Sequence, residues 1–313
     1  MKTWLTPLLF ATSLFGQRPE VRLPDESTGI DSIAGTLVSA FDQADIVALG
    51  EMHHRKLDSD LRITVVRHPD FARKVRSIIV EFGSTTEQTT LDRYIRGENV
   101  SRTQLEEVWK TTTQAANGIW DDPMYADFFA AVRDVNSKLP ADARVRVLAG
   151  DPETAAVAVL KEEVLQKHGK ALVIYGAGHF WRTLPGDDLT SRGNDIRLAR
   201  QLERDYPGRT FVVIPVGGPV HLPPGLTLNV YPDYQKFDRV LKTKVRPVLV
   251  HLQRLPFRDF TAEEFIGYQV VGCPPGGRAC GSVFQGSPIT LGQVADACVY
   301  VGAAVDTKAK PGR

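Results

Sequence analysis

Six short runs of β-branched and other apolar residues, separated by helical patterns, dominate this sequence. Continuous apolar runs of this length are typical of strands buried on both faces, and their alternation with helices indicates a mainly parallel sheet. We therefore predict an α/β fold with a mainly parallel central sheet and helices on both faces. The six runs are DIVALGE, RSIIVEFG, RVRVLAGDPE, KALVIYGAGHF, RTFVVIPVGG and RPVLVHLQ.

A long segment at about 84–140 separates the second run from the third. It contains three patterns with apolar residues at i, i+3 and i+4, the spacing of amphipathic helices. We interpret this segment as a helical cap insertion. Its aromatic side chains are more typical of a core than of substrate contacts, although a lid lined by them would suit an apolar ligand. They are Trp109, Trp120, Tyr125, Phe128 and Phe129.

The first sixteen residues differ from the rest of the chain. Lys2 is followed by an apolar run that ends in Gly16, which is the pattern of a secretory signal peptide. We therefore predict cleavage after residues 1–16 and a protein that is exported, either to the periplasm or out of the cell. The α/β domain is then expected over 17–255.

The segment 256–313 is rich in glycine and proline and contains all 3 cysteines. We interpret it as a C-terminal extension that packs on the sheet edge of the same domain. Cys273 and Cys280 bracket the loop PPGGRA, and an exported protein allows them to form a disulfide. Cys298 lies in an apolar run, which predicts a buried thiol.

Composition excludes some classes of partner. The formal net charge is +1, and no block of Lys and Arg is dense enough for a nucleic-acid surface. No segment approaches the roughly 20 apolar residues that a membrane span requires. A small-molecule substrate or ligand is therefore the expected partner.

Four of the predicted strands end in acidic or imidazole side chains next to a glycine. Sites in open α/β sheets form outside the carboxyl ends of the strands, so these side chains are predicted to share one site. Glu81 lies inside an apolar run, where an unpaired carboxylate would be costly, so it must be paired, protonated or coordinating. The strand-end residues are Glu51, His53, His54, Glu81, Asp151 and His179.

Two chemistries remain open for this group. A histidine made basic by a carboxylate activates water for hydrolysis, or the same side chains bind a divalent metal that does so. Zinc, manganese or iron would suit the ligand types, which here are Glu51, His53, Glu81 and His179.

Two further residues have alternative interpretations. Arg55 is a candidate for binding an anionic substrate group, or an ordinary surface arginine. Asp151 is a candidate for substrate binding, or the N-cap of a helix that begins at Pro152.

The motifs LGEMHH, VEFG and YGAGHF, in this order, resemble the erythromycin esterase, ChaN and TIKI/TraB superfamily. Its members share a strand-end GExH-type motif, a glutamate at the end of the second strand and a later GxxH motif. The helix IWDDPMYADFFAAVRDVN also resembles the helical insertion of the esterase branch. The resemblance spans about Ile46 to Leu184. The motifs match Gly50, Glu51, His53 or His54, Glu81, Gly176 and His179.

The branches of this superfamily imply different functions. The esterase branch hydrolyses a macrolactone with a histidine base, the TIKI branch resembles metal-dependent peptidases, and ChaN is a haem-binding lipoprotein. His53 matches the ChaN-type spacing and His54 the esterase-type spacing, and we expect only one of them to be indispensable. The signal peptide lacks the lipid-anchor cysteine of ChaN. We therefore expect a hydrolase of an ester, lactone or amide, and the alternative is a non-catalytic haem- or metal-binding protein.

Overall fold

The computed structural model describes residues 21–185, 198–218, 227–230, 234–266, 269–271, 283–284 and 286–302. The predicted signal peptide at 1–16 and the predicted Cys273–Cys280 disulfide lie outside the described residues. No helix in the described part of the chain is long and apolar enough to cross a membrane.

The described strands form one large sheet and one small two-stranded antiparallel sheet. The eight-stranded sheet has the order β1-β8-β10-β6-β2-β5-β3-β4, and β7 pairs with β9. In chain order the strands are β1 Glu26–Thr28, β2 Ile46–Glu51, β3 Ser77–Ser84, β4 Arg146–Asp151, β5 Ala171–Gly176, β6 Thr210–Val216, β7 Thr227–Val230, β8 Val248–His251, β9 Gln269–Val271 and β10 Ala297–Tyr300.

The helices divide between the two faces of the large sheet in chain order. On one face lie α1 Ile30–Ala40, α2 Lys56–Arg67, α3 Phe71–Lys74, α4 Gln88–Arg96, α5 Arg102–Lys110 and α6 Pro123–Ser137. On the other lie α7 Glu153–Glu163, α8 Leu198–Asp205, α9 Tyr234–Val240, α10 Ala262–Ile266 and α11 Leu291–Val294.

Side-chain alternation along the strands builds a separate hydrophobic core on each face. In β2, Val47 and Leu49 belong to the core under α1–α6, while Ile46 and Ala48 belong to the core under α7–α11. Successive side chains of a strand point to opposite faces, so a strand covered on both sides is apolar at every position. This is why the runs read as continuously apolar.

The pairing confirms the predicted fold class. Strand β2 runs parallel to β5 and β6, β3 runs parallel to β5 and β4, and β10 runs parallel to β6. Strand β8 is antiparallel to both β10 and β1. The large sheet is therefore mostly parallel, with helices on both faces.

The C-terminal segment occupies a different place from the one expected. Strand β10 lies between β6 and β8, inside the sheet, and not at its edge. Cys298, in this strand, is fully buried, and burial raises the pKa of its thiol well above the ordinary value. Strand β10 thus joins the antiparallel pair β1 and β8 to the parallel strands that begin with β6.

The predicted insertion forms helices α4, α5 and α6, which pack on the sheet face shared with α1 and α2. Helix α6 begins where the Asp122 side chain accepts a hydrogen bond from the Met124 N–H, with Pro123 at its first position. The five aromatic residues of the insertion that were interpreted as core residues are all buried in that core, which confirms the interpretation: Trp109, Trp120, Tyr125, Phe128 and Phe129.

Candidate functional site

Parallel pairing brings three strand ends to the same edge of the sheet. Strand β5 lies between β2 and β3, and Glu51 at the end of β2 is in register with Gly176 at the end of β5. Glu81 lies near the end of β3, on the other side of β5. His179 follows in the short 3₁₀ helix Ala177–Phe180. The structure therefore brings Glu51, His53, Glu81 and His179 together.

Glu51 is held as a carboxylate by groups from two helices of the same layer, α2 and α6. One oxygen is bonded by the Arg62 guanidinium from α2, and the other accepts a hydrogen bond of 3.4 Å from the Tyr125 hydroxyl. Burial alone would raise the pKa of Glu51, but Arg62 and His53 lower it below its ordinary value. Glu51 is thus ionised before any ligand arrives.

His53 is bound to a carboxylate through one ring nitrogen. Its Nδ1 lies 3.0 Å from Oε1 of Glu51, and no described residue hydrogen-bonds its Nε2. Burial lowers the pKa of His53, but the hydrogen bond and charge of Glu51 outweigh burial and raise it. The edge of the Trp120 ring packs against the imidazole, with ring centroids 5.0 Å apart. The tautomer with a proton on Nδ1 leaves Nε2 available as a base.

Gly176 makes room for this imidazole. A Cβ on Gly176 would lie 2.8 Å from Nε2 of His53, closer than real Cβ atoms approach another heavy atom. The strand end therefore needs a glycine for steric reasons, and the backbone N–H of Gly176 donates to Oε2 of Glu81 at 2.7 Å.

His179 is bound by two carboxylates. Its Nε2 lies 3.0 Å from Oε1 of Glu81, and its Nδ1 lies 2.8 Å from Oε2 of Glu153. Burial lowers the pKa of His179, but the hydrogen bonds to Glu153 and Glu81 raise it to about 10. His179 is therefore an imidazolium at neutral pH, with both ring N–H groups donating.

Glu81 accepts hydrogen bonds from three directions. Besides His179 and the Gly176 N–H, the Gln114 side chain donates to Oε1 at 2.6 Å from the connection between α5 and α6. Burial raises the pKa of Glu81, but these partners and the nearby His53 lower it overall. Glu81, which the sequence predicted to be paired, protonated or coordinating, is thus paired.

The other predicted site residues lie outside this group. His54, with a positive φ of 61°, faces outward, and its Nδ1 lies 4.0 Å from Asp122. Arg55 is buried and donates to Asp58 at 2.6 Å and to the Gly217 carbonyl at 2.9 Å. Neither side chain lines the cavity described below.

Asp151 does not have the N-cap role that was one of its two interpretations. Helix α7 begins at Glu153 with Pro152 as its N-cap, so the interpretation of Asp151 as N-cap is wrong. Its carboxylate instead accepts the backbone N–H of Thr113 at 2.8 Å and the Thr113 hydroxyl at 2.6 Å. Asp151 thereby ties the connection between α5 and α6 to the end of β4.

Four residues of the site were missed from the sequence, namely Arg62, Gln114, Tyr125 and Glu153. One signal was present for Arg62, because Val65 and Val66 follow it at the i+3 and i+4 positions. A charged residue on the apolar side of a helix needs a buried partner. The signal for Glu153 was weaker. It lies two residues after the strand-end residue Asp151, the same spacing that separates His53 from the strand-end residue Glu51.

A cavity of about 340 Å³ opens beside these residues. Its polar lining is formed by Glu51, His53 and His179, and its apolar lining comes from β6, α9, α10 and the residue after the 3₁₀ helix Ala177–Phe180. This volume is at the small end of ligand pockets. The apolar residues are Trp181, Pro215, Val216, Tyr234, Phe265 and Ile266.

Comparison with known proteins finds one matching family model and several solved structures with the same fold. Residues 37–165 match the family described as haem-binding uptake, Tiki superfamily, ChaN. Over this region the chain is similar to the ChaN/Tiki superfamily. The superfamily predicted from the strand-end motifs is therefore confirmed. No curated protein matches the chain.

Solved structures share the fold at low sequence identity. A Bacillus cereus protein superposes with a TM-score of 0.57 at 12% identity, covering 88% of this chain and 93% of its own. A mutant of erythromycin esterase EreC in its open conformation gives 0.51 at 10%, covering 84% and 92%. Haem-bound ChaN of Campylobacter jejuni gives 0.37 at 11%, covering 61% and 88%. Identities this low concern the fold alone.

The site does not fit the divalent metal considered from the sequence. The oxygens of Glu51 and Glu81 already accept protein hydrogen bonds, and both ring nitrogens of His179 lie within 3.0 Å of carboxylate oxygens. Within the described ranges, no group of three or more His, Cys, Asp or Glu side chains is arranged to hold a metal ion.

Haem, the ligand in the family description, would find one candidate donor and no cation in the described lining. The iron would need an axial donor, and Nε2 of His53 is the imidazole nitrogen at the described cavity that is not hydrogen-bonded. The haem carboxylates would need cations, but the described lining contains neither lysine nor arginine.

Proposed function

We propose that this protein hydrolyses an ester, lactone or amide, with His53 as the general base that activates water. The observation that carries the proposal is the one-sided binding of His53, whose Nδ1 faces Glu51 while Nε2 has no described partner beside the cavity. A base needs a lone pair within reach of the proton it removes. Nε2 of His53 meets this requirement, and His179 does not.

The residues around His53 support this role. Glu51 selects the Nδ1–H tautomer and stabilises the imidazolium that forms when Nε2 takes a proton. Arg62 keeps Glu51 ionised so that it accepts this hydrogen bond. The raised pKa of His53 makes Nε2 a stronger base than a free imidazole.

The reaction balances without any further reactant. The water oxygen bonds to the carbonyl carbon while its proton passes to Nε2 of His53. The bond from that carbon to the leaving oxygen or nitrogen then breaks, and the proton on Nε2 passes to the leaving group. In this scheme Glu81 and Glu153 hold His179 in place beside the cavity, and the three side chains position the end of β5.

The two adjacent histidines provide a matched test. We expect His53→Asn to lower kcat about 10²–10⁴-fold, the usual contribution of a general base. His54→Asn should change kcat by no more than a few-fold, because asparagine tolerates the positive φ of that position. The assay is a panel of esters, lactones and amides with the purified protein. Equal losses in both variants would contradict the assignment of His53.

The rival function is non-catalytic binding of haem or a metal. Elemental analysis and the visible absorption spectrum of the purified protein distinguish the two. Stoichiometric metal or a Soret band, together with no hydrolysis of any panel substrate, would replace the proposal with this rival.

Export is a separate part of the proposal. The residues that predict it, 1–16, are read from the sequence alone. The mass of the protein recovered from the periplasm or medium tests it, because cleavage after Gly16 would remove these sixteen residues.

A further inference from the structure

Carboxylates at this edge of the sheet outnumber the cations paired with them. The cations are Arg62, bonded to Glu51, and His179, shared by two glutamates. Asp151 accepts hydrogen bonds from Thr113, and no described cation pairs with it. Two negative charges therefore have no described cation of their own. The four carboxylates are Glu51, Glu81, Asp151 and Glu153.

The described cavity lining gives an anion no compensating charge. It contains neither lysine nor arginine, and its cation, His179, already lies between two carboxylates. The two buried arginines near the cavity are also paired within the protein. Arg62 bonds Glu51, and Arg55 bonds Asp58 and a backbone carbonyl.

The opposite wall is apolar and is held in place by aromatic packing. Phe265 stacks on Phe260 with ring centroids 5.2 Å apart, and Trp181 contacts Phe284 edge-on at 5.2 Å. Ile266 completes this wall. A ligand in the cavity therefore meets Glu51, His53 and His179 together with a set of packed apolar side chains.

We propose that this cavity selects its ligand by charge, in the order cationic, then neutral, then anionic, with the apolar body of the ligand against Trp181, Phe265 and Ile266. This names the substrate class of the hydrolytic site and in that respect rests on the proposed function. An anion would find no lysine or arginine in the described lining, and the carboxylates at this edge of the sheet outnumber the cations paired with them, so a cation would be attracted where an anion is not.

Three p-nitrophenyl esters with the same chain length test the order kinetically. Their chains end in a trimethylammonium, a methyl or a carboxylate group. We expect kcat/KM for the cationic ester to exceed that for the anionic ester by about tenfold or more at low salt. The ratio should shrink at 0.5 M NaCl, because salt screens the charges.

Equilibrium binding tests the same order without any hydrolysis. Hexyltrimethylammonium and hexanoate are titrated against the fluorescence of Trp181, with Trp181→Phe to assign the signal. Haemin, a dianionic apolar probe, is titrated by its Soret band. Tighter binding of the cation and no stoichiometric haemin band are expected. Equal binding of cation and anion, or stoichiometric haemin, would overturn the charge preference.

The two arms separate the failure of this inference from the failure of the proposed function. If no ester is hydrolysed but the cation binds tighter, the hydrolase proposal fails and the charge preference stands. If the esters are hydrolysed at rates that do not depend on their charge, the hydrolase proposal stands and the charge preference fails.

A charge placed on the apolar wall provides the decisive variant. Ile266→Lys should raise kcat/KM and affinity for the anionic probes by about tenfold relative to the cationic ones. Ile266→Met keeps an apolar side chain of similar volume and should keep the wild-type order. An unchanged order in Ile266→Lys would show that the charges at this cavity do not select the ligand.

Discussion

His53 and His179 lie at the same edge of the sheet, yet they are bound in different ways. His53 contacts one carboxylate through Nδ1, and that carboxylate has its own cation in Arg62. His179 contacts two carboxylates, one through each ring nitrogen, and is itself their cation. In this site the number of carboxylate partners therefore determines the role of each of these two imidazoles. One partner leaves a basic nitrogen free, and two partners make a fixed charge.

The comparison predicts that the contribution of Glu51 to the free energy of unfolding depends on its ion pair with Arg62 and not on its hydrogen bond to His53. Arg62 is 1% exposed and Glu51 is 5% exposed, so Arg62→Met leaves a buried carboxylate without its cation. We expect a loss of about 3–5 kcal/mol in the free energy of unfolding, measured with urea at pH 7.

An exposed ion pair on the same helix is the control for Arg62. Lys56, 81% exposed, pairs with Asp60 one turn along α2, and Lys56→Met should cost less than about 1 kcal/mol. Similar losses in the two variants would mean that the Arg62–Glu51 pair contributes no more than a surface ion pair.

Gly176→Ala is predicted to act on His53 and to leave His179 in place. The new Cβ would lie 2.8 Å from Nε2 of His53, so the ring must move, and a misplacement of about 1 Å lowers kcat by as much as about 10²-fold. The measurement is kcat on the best panel substrate, with the unfolding free energy measured in parallel.

A double-mutant cycle with His53→Asn shows whether the loss passes through the imidazole. In that background Gly176→Ala should have little further effect on kcat, because the ring it displaces is absent. Full additivity of the two losses would contradict a contact between Gly176 and the active imidazole.

Much of the fold was predictable because the local pattern of buried parallel strands is strong. All six predicted runs form strands, and the three helical patterns of 84–140 form α4, α5 and α6. The position of β10 inside the sheet was not predictable in this way. It depends on pairing with β6 and β8, which are distant in sequence, and no local periodicity encodes such a choice.

The site was predictable to the level of strand ends, but its hydrogen-bond partners were not. The rule that parallel strands end at one edge was enough to group Glu51, Glu81 and His179. The choice of Glu153 over Asp151 as the partner of His179 depends on α7 beginning at Glu153, which turns that side chain toward the imidazole. Helix boundaries are uncertain from sequence by more than this two-residue difference.

The last prediction concerns His179 and the pH dependence of stability. At pH 7, His179→Gln removes the cation shared by Glu81 and Glu153, and we expect a loss of about 1–3 kcal/mol in the unfolding free energy. Both glutamates keep a backbone N–H donor, from Gly176 and Leu198, so the loss should be smaller than for Arg62→Met.

The pH profile then distinguishes a charged His179 from a neutral one. Because folding raises its pKa from 6.5 to about 10, its contribution is fully present below pH 6.5 and is lost as the pH rises toward 10. The free energy of unfolding, measured with urea between pH 6 and pH 10, should be higher for the wild type than for His179→Gln at pH 6, and this difference should shrink as the pH rises to 10. An advantage that stays constant with pH would mean that His179 is not bound as an imidazolium, and the contrast with His53 would then rest on geometry alone.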